Sequence, residues 1–205
     1  MLNIKDEYKR NRKCVEDFLY SGKYKDDREF FILGAFCELL EKANCERPEY
    51  FEKLVLPDFR TFKKDKSFFK QIEIVENLHW GRKRGDESEK PFDESIYLNN
   101  SGACKIKLWY SFIKNINNKF SKHYGNDCWL LIYHNIPVLH MSQLGSWTYL
   151  IFTFKNEFQK RGLLDFTKST YEQIYVMSAN CNELVSIYPE DKVICSKYTR
   201  FSPKK

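Results

Sequence analysis

Cys128-Trp129-Leu130-Leu131-Ile132-Tyr133 is an unbroken apolar run. A strand exposed to water on one face alternates apolar and polar residues, so a continuous run this short fits a strand covered on both faces. A sheet sandwiched between helices follows, and the rest of the chain supplies its parts. Pro57-Asp58-Phe59-Arg60-Thr61-Phe62 and Gln71-Ile72-Glu73-Ile74-Val75-Glu76 read as two short strands joined by the lysine-rich turn Lys63-Lys64-Asp65-Lys66-Ser67, the economical form of which is a hairpin. Gln173 to Ser178 and Glu183 to Tyr188 flank the polar turn Ala179-Asn180-Cys181-Asn182 and read as a second strand pair. Tyr149 to Phe154 is apolar, and its pattern leaves helix and strand both open.

Helical spacing appears in three places. Cys14, Val15, Phe18 and Leu19 form a stripe within a charged N-terminal segment, residues 1 to about 25, which reads as an amphipathic helix docking one face. A second helix, capped by Asp26 or Asp27, runs through Phe30 to Leu40 and is apolar nearly all round, hence buried. Ile106, Trp109, Phe112, Ile113, Ile116 and Phe120 recur at threes and fours among Lys and Asn, which predicts a helix with a basic outer face over 104–124. Together these elements describe a single α/β domain spanning 1–205, one mixed β-sheet flanked by helices. With 42% apolar and 17% aromatic residues it has the material for a packed core.

Charge and cysteine usage narrow the function classes. A net charge of +6 favours an anionic partner, nucleic acid among them, without requiring one. The 7 cysteines are widely spaced, with no CxxC pair, and read as free thiols in a reducing, cytoplasmic compartment. The N-terminus is charged where a signal peptide would be apolar, and no run approaches the about 18 apolar residues of a membrane span. No glycine-rich phosphate loop or serine-hydrolase elbow occurs, so no nucleotide cofactor is expected. Histidines 79, 123, 134 and 140 have no metal-ligand spacing and read as satisfied polar residues.

The chemistry-bearing residues are acidic. Asp58 opens one strand of the first hairpin and Glu73 sits inside the other, where a charge is costly unless paired or ligating. Two carboxylates side by side suit Mg (or Mn), a hard cation that takes oxygen ligands and keeps several waters. Glu38 and Glu41, three apart on the buried helix, are the candidates to complete that shell. A glycine-bracketed segment carries Trp80, Arg82, Lys83 and Arg84, and the predicted basic helix carries Lys105, Lys107, Lys114 and Lys119. Such groups hold phosphates, with aromatics available to stack on bases. The many Tyr and Phe residues also suit a protein partner.

A helix-borne Glu, then Pro57-Asp58 opening a strand, then Ile72-Glu73-Ile74-Val75-Glu76, with Trp129 to Asn135 continuing the sheet, resembles the core of the PD-(D/E)xK nuclease-like superfamily. The resemblance covers residues 30 to 135. It implies a restriction-endonuclease-like core and metal-dependent hydrolysis of phosphodiester bonds in nucleic acid, with Asp58 and Glu73 as catalytic metal ligands. In one respect the chain departs from the pattern: the Lys that follows the second carboxylate by two positions is replaced by Val75. Lys83 or Arg84 is the candidate to take over its role. The alternative is a catalytically inactive nuclease-like binding module for nucleic acid or a protein, such as a toxin-neutralising protein.

Overall fold

The computed structural model describes residues 1–12, 25–77, 103–122, 124–134, 147–178 and 181–196. A two-residue strand β1 (Leu2–Asn3) leads into helix α1 (Ile4–Arg12), and helix α2 (Lys25–Lys42) follows. Then come β2 (Tyr50–Lys53), β3 (Phe59–Phe62), β4 (Phe68–Asn77), α3 (Ala103–Phe120), β5 (Cys128–His134), α4 (Trp147–Lys160), β6 (Gln173–Ser178), β7 (Leu184–Tyr188) and β8 (Lys192–Cys195). The N-terminal stripe residues Cys14, Val15, Phe18 and Leu19 lie outside the described residues.

All eight strands form one mixed sheet whose spatial order is the chain order. Its centre, β4-β5-β6, is parallel, and every other pairing is antiparallel. Because β4, β5 and β6 step across the sheet in one direction, right-handed crossovers put α3 and α4 on the same face. The other face is covered by α2.

Strand alternation divides the core accordingly. Cys128, Leu130 and Ile132 of β5 join Phe112 and Ile116 of α3, Ile151 of α4 and Val176 of β6 in one buried cluster. Trp129, Leu131 and Tyr133 turn to the opposite cluster, with Phe36, Leu39 and Leu40 of α2, Phe59 of β3 and Ile72 of β4. All seven residues of β5 are buried, as the unbroken apolar run requires.

The first hairpin is the β3–β4 pair, with Phe59 opposite Ile72 and Arg60 opposite Gln71. Its turn closes through the Lys63 amide donating to the Ser67 carbonyl at 2.9 Å, with Lys66 at φ 65°. The second expected pair is β6–β7, also antiparallel. The ambiguous segment at 149–154 is helical, the first half of α4, whose Leu150, Ile151 and Phe158 enter the core at helical spacing. Helix α1 packs on α2 at Gly34, where a Cβ would lie 2.5 Å from Cβ of Tyr8, so the close approach of the two helices depends on that glycine. No helix among the described residues is long and apolar enough to cross a membrane.

Candidate functional site: an acidic pair with two lysines

Asp58 immediately precedes β3 and is held by the hairpin, its Oδ2 accepting from the Ile74 amide of β4 at 2.7 Å. Glu73 is the preceding residue on β4. Ile72 and Ile74 face α2, so alternation turns Glu73 and Val75 toward the α3 face. The two carboxylates feel each other. Asp58 is held above the ordinary carboxylate pKa first by burial and then by the negative charge of Glu73, against the opposing hydrogen bond from Ile74.

Two lysines neutralise part of that charge. Lys119, in the last turn of α3, forms an ion pair with Oε1 of Glu73. Lys53, at the end of β2, stands 3.8 Å from Oδ1 of Asp58 and is also paired with Glu29 of α2. Its Nζ lies 4.4 Å from the centroid of the Phe59 ring. Lys53 is thus shared between Glu29 and Asp58, while Lys119 serves Glu73.

The surroundings are buried and polar. Glu73 is 1% exposed, and its Oε2 has no hydrogen-bond partner among the described residues. Tyr124 and Tyr171 are nearby: the Tyr124 hydroxyl approaches Glu73, and the buried Tyr171 hydroxyl has no hydrogen-bond partner among the described residues. Burial and the charges of Glu73 and Asp58 push the Tyr124 phenol up to about 12, and the Tyr171 phenol is raised by the same causes with Cys128 and Tyr124 added. Burial first, then Glu73, lifts the Cys128 thiol to about 12, so Cys128 is an inert part of the wall.

Farther along the same face, the strand ends carry a buried polar chain. The Asn115 amide of α3 donates to Oδ1 of Asn77 at 3.2 Å, and the Asn77 amide donates to Nδ1 of His134 at 3.0 Å. Phe112 and Trp147 meet the imidazole edge-on. Burial lowers its pKa to about 3, so His134 is neutral and accepts at Nδ1.

The sequence-derived residues are therefore distributed unevenly. Asp58 and Glu73 are together. Glu38 and Glu41 are on α2 but not at this site: Glu29 is the residue of α2 that reaches Lys53, and at 1.5 Å per residue Glu38 and Glu41 lie about 13 and 18 Å farther along the helix. They pair instead with Lys42 and Arg47, each at 3.0 Å, beside a cavity of about 210 Å³ between α1 and α2. Trp80, Arg82, Lys83 and Arg84 lie outside the described residues, and Lys105 and Lys107 fall in the first half of α3. Among the described residues no cluster of three or more His, Cys, Asp or Glu side chains is arranged to hold a metal, so a cation here would be held by two carboxylates.

Sequence reasoning passed over Glu29, Lys53, Tyr124 and Tyr171, and placed Lys119 only on a basic surface. Glu73 and Lys119 are 46 residues apart and Lys53 and Glu29 are 24 apart, so no local pattern marks either pair. The chain matches no known family model, no curated protein and no solved structure.

Proposed function

We propose that the protein is a metal-dependent nuclease that hydrolyses phosphodiester bonds in nucleic acid, built on a restriction-endonuclease-like core. The observation that carries this reading is the buried acidic pair Asp58 and Glu73, in which burial and the charge of Glu73 hold the Asp58 pKa up although a lysine stands beside each carboxylate. Two adjacent buried carboxylates, one of them held above its ordinary pKa partly by the charge of the other, favour a divalent cation, which would relieve that repulsion.

Asp58 and Glu73 would hold Mg or Mn, which when bound supplies an acidified water and charge stabilisation at the phosphoryl oxygens. Lys119 stands in for the lysine that Val75 lacks. Its ammonium reaches the Glu73 carboxylate from α3 rather than from the same strand, and from there it orients the nucleophile and offsets charge developing on the phosphate. Lys53, steadied by Glu29, fixes the rotamer of Asp58. Lys83 and Arg84 neutralise the bound phosphate, and Trp80, Arg82, Lys105 and Lys107 extend the nucleic-acid contact.

The same two ion pairs, with Val75 at the motif position, favour a second reading: a nuclease-like binding module whose lysines have replaced the cation. Incubation of the purified protein with DNA or RNA and Mn separates the two. Cleavage that Glu73→Gln and Lys119→Ala each reduce by orders of magnitude, with nucleic-acid binding retained, supports the enzyme. Salt-sensitive binding without cleavage supports the module. Cleavage unaffected by either change overturns the site.

A further inference from the structure

The α2 face of the sheet carries a cavity of about 600 Å³ at the starting ends of β4, β5 and β6, on the opposite side from Glu73. Its volume is that of a small-molecule site. The floor is aromatic: Trp129 meets the rings of Phe69 and Tyr175 edge-on, at 5.2 and 5.4 Å between centroids. Phe68, 44% exposed, stands at the same cavity.

Two hydrogen-bond donors lie uncommitted in this floor. Trp129 and Gln173 are register partners on β5 and β6, so their side chains stand side by side on the α2 face, with Cα atoms about 4.8 Å apart. Trp129 is 7% exposed, and its buried indole N–H has no hydrogen-bond partner among the described residues. Oε1 of Gln173 already accepts from the Tyr175 hydroxyl, so what Gln173 has left to offer is its amide N–H pair.

The charges lining the cavity balance. Lys63 is paired with Glu46 and Lys70 with Glu172, and Glu190 and Lys192 add one of each sign. No excess charge recommends an ion, and an aliphatic chain would leave the donors unsatisfied. A neutral planar ring with acceptors along one edge meets both demands, since its faces contact the aromatics while its edge takes the N–H groups. Among the nucleobases, guanine presents O6 and N7 as adjacent acceptors, whereas adenine sets N7 beside an amino donor.

We propose that this cavity binds guanine, with O6 and N7 accepting from the Trp129 indole and the Gln173 amide. The base is supplied by a free nucleoside or by an unstacked position of single-stranded nucleic acid. Entry is accommodated by a rotamer change of the exposed Phe68, a common adjustment at binding surfaces. The site stands apart from the phosphodiester reading: it shares no residue with Asp58, Glu73, Lys53 and Lys119.

The test is calorimetric titration of the full chain with guanosine, inosine, adenosine and 7-deazaguanosine. Guanosine and inosine, which share O6 and N7, are expected to bind alike, with adenosine and 7-deazaguanosine roughly tenfold weaker, as the loss of a bidentate base contact requires. Gln173→Glu keeps an acceptor for Tyr175 and puts a carboxylate oxygen where the donor was, so it should weaken guanosine roughly tenfold or more and turn the preference toward adenosine. Gln173 is half-buried at a strand start, so the melting temperature of that variant should match the wild type. Trp129→Phe, which keeps a ring and removes the N–H, should weaken guanosine as well. A single-stranded oligonucleotide with one guanine reads the source: binding tighter than guanosine assigns the base to nucleic acid, weaker binding assigns it to a free nucleoside, and both support the cavity. No saturable guanosine binding, equal affinity for adenosine, or indifference to Gln173→Glu overturns the proposal. Asp58→Asn should leave guanosine binding unchanged, so failure of this site and failure of the nuclease reading are seen separately.

Discussion

The ammonium of Lys119 lies against Oε1 of Glu73, while Oε2 of the same carboxylate is buried without a hydrogen-bond partner among the described residues. A helix and a strand are thereby joined by a charge pair whose acid is 2% exposed and whose base is 19% exposed. Removing one member of such a pair strands the other. Lys119→Met should cost about 3 kcal/mol, the low end expected for breaking a buried pair, because its lysine end reaches water. Adding Glu73→Gln should return most of that loss. Urea denaturation of the wild type, both single variants and the double variant reads the coupling directly, and strictly additive effects would show that the pair contributes nothing.

Asp58 offers a test that combines metal and proton. Mg or Mn should raise the wild-type melting temperature by mass action, about 2–4 °C for each kcal/mol of binding free energy in a chain of this size, and Asp58→Asn should remove the rise. The protons give an independent arm. Since burial and Glu73 hold the Asp58 pKa above 3.8, ionised Asp58 burdens the fold at pH values above its raised pKa and stops doing so once pH falls below 3.8. Without metal, Asp58→Asn should therefore be more stable than wild type at neutral pH, with the advantage shrinking toward pH 3.8. A constant difference across that range would contradict the repulsion.

How much of this could be read from the chain depended on how far apart the interacting residues lie. The buried strand, the β3–β4 hairpin and the helical face of Phe112, Ile116 and Phe120 are written in patterns a few residues long, and all three are present. The short strands β2 and β8 were not evident: each has four residues, with Glu52 and Lys53 in one and Lys192 in the other blurring the apolar signal. The acidic pair was legible because one hairpin carries both members. Its cations were not, because Lys53 and Lys119 arrive from a neighbouring strand and from a crossover helix. The expectation that Glu38 or Glu41 serves the site failed on helix rise alone: the right helix was identified, but Glu29, three turns nearer its start, is at the site end.

Leu131 tests the centre of the sheet. It is 0% exposed on β5 and belongs to the cluster packed beneath α2. Leu131→Ala should cost about 2–4 kcal/mol through lost contacts and the cavity left behind, measured by chemical denaturation. Leu2→Ala, on the two-residue edge strand and half exposed, should cost far less. Equal costs would place β5 outside the core.

His134 gives acid sensitivity of the opposite sign to Asp58. Its pKa is lowered from 6.5 to about 3 by burial, so between those values the unfolded chain takes up a proton that the folded chain refuses. Stability is lost as pH falls through that window, at up to ~1.4 kcal/mol per pH unit for one proton. His134→Gln, which keeps an acceptor for the Asn77 amide, should flatten that part of the pH–stability curve. An unchanged slope would mean that other groups govern the acid limb.

The position of the site lysine can be moved. Val75 shares the strand face of Glu73 and packs at the margin of the α3–α4 cluster, half-buried, so a longer side chain there has an aqueous exit for its charge. If the role of Lys119 is to place an ammonium beside Glu73, then Lys119→Ala should lose phosphodiester cleavage, and Val75→Lys in that background should restore part of it by supplying the charge from the strand instead of the helix. The comparison to make is kcat at saturating oligonucleotide, because a group acting in the transition state changes kcat more than KM. Restoration by Val75→Lys but not by Val75→Met would identify the charge as the active ingredient. Equal effects of Lys and Met would mean that packing under α3, rather than the ammonium, was what Lys119 supplied.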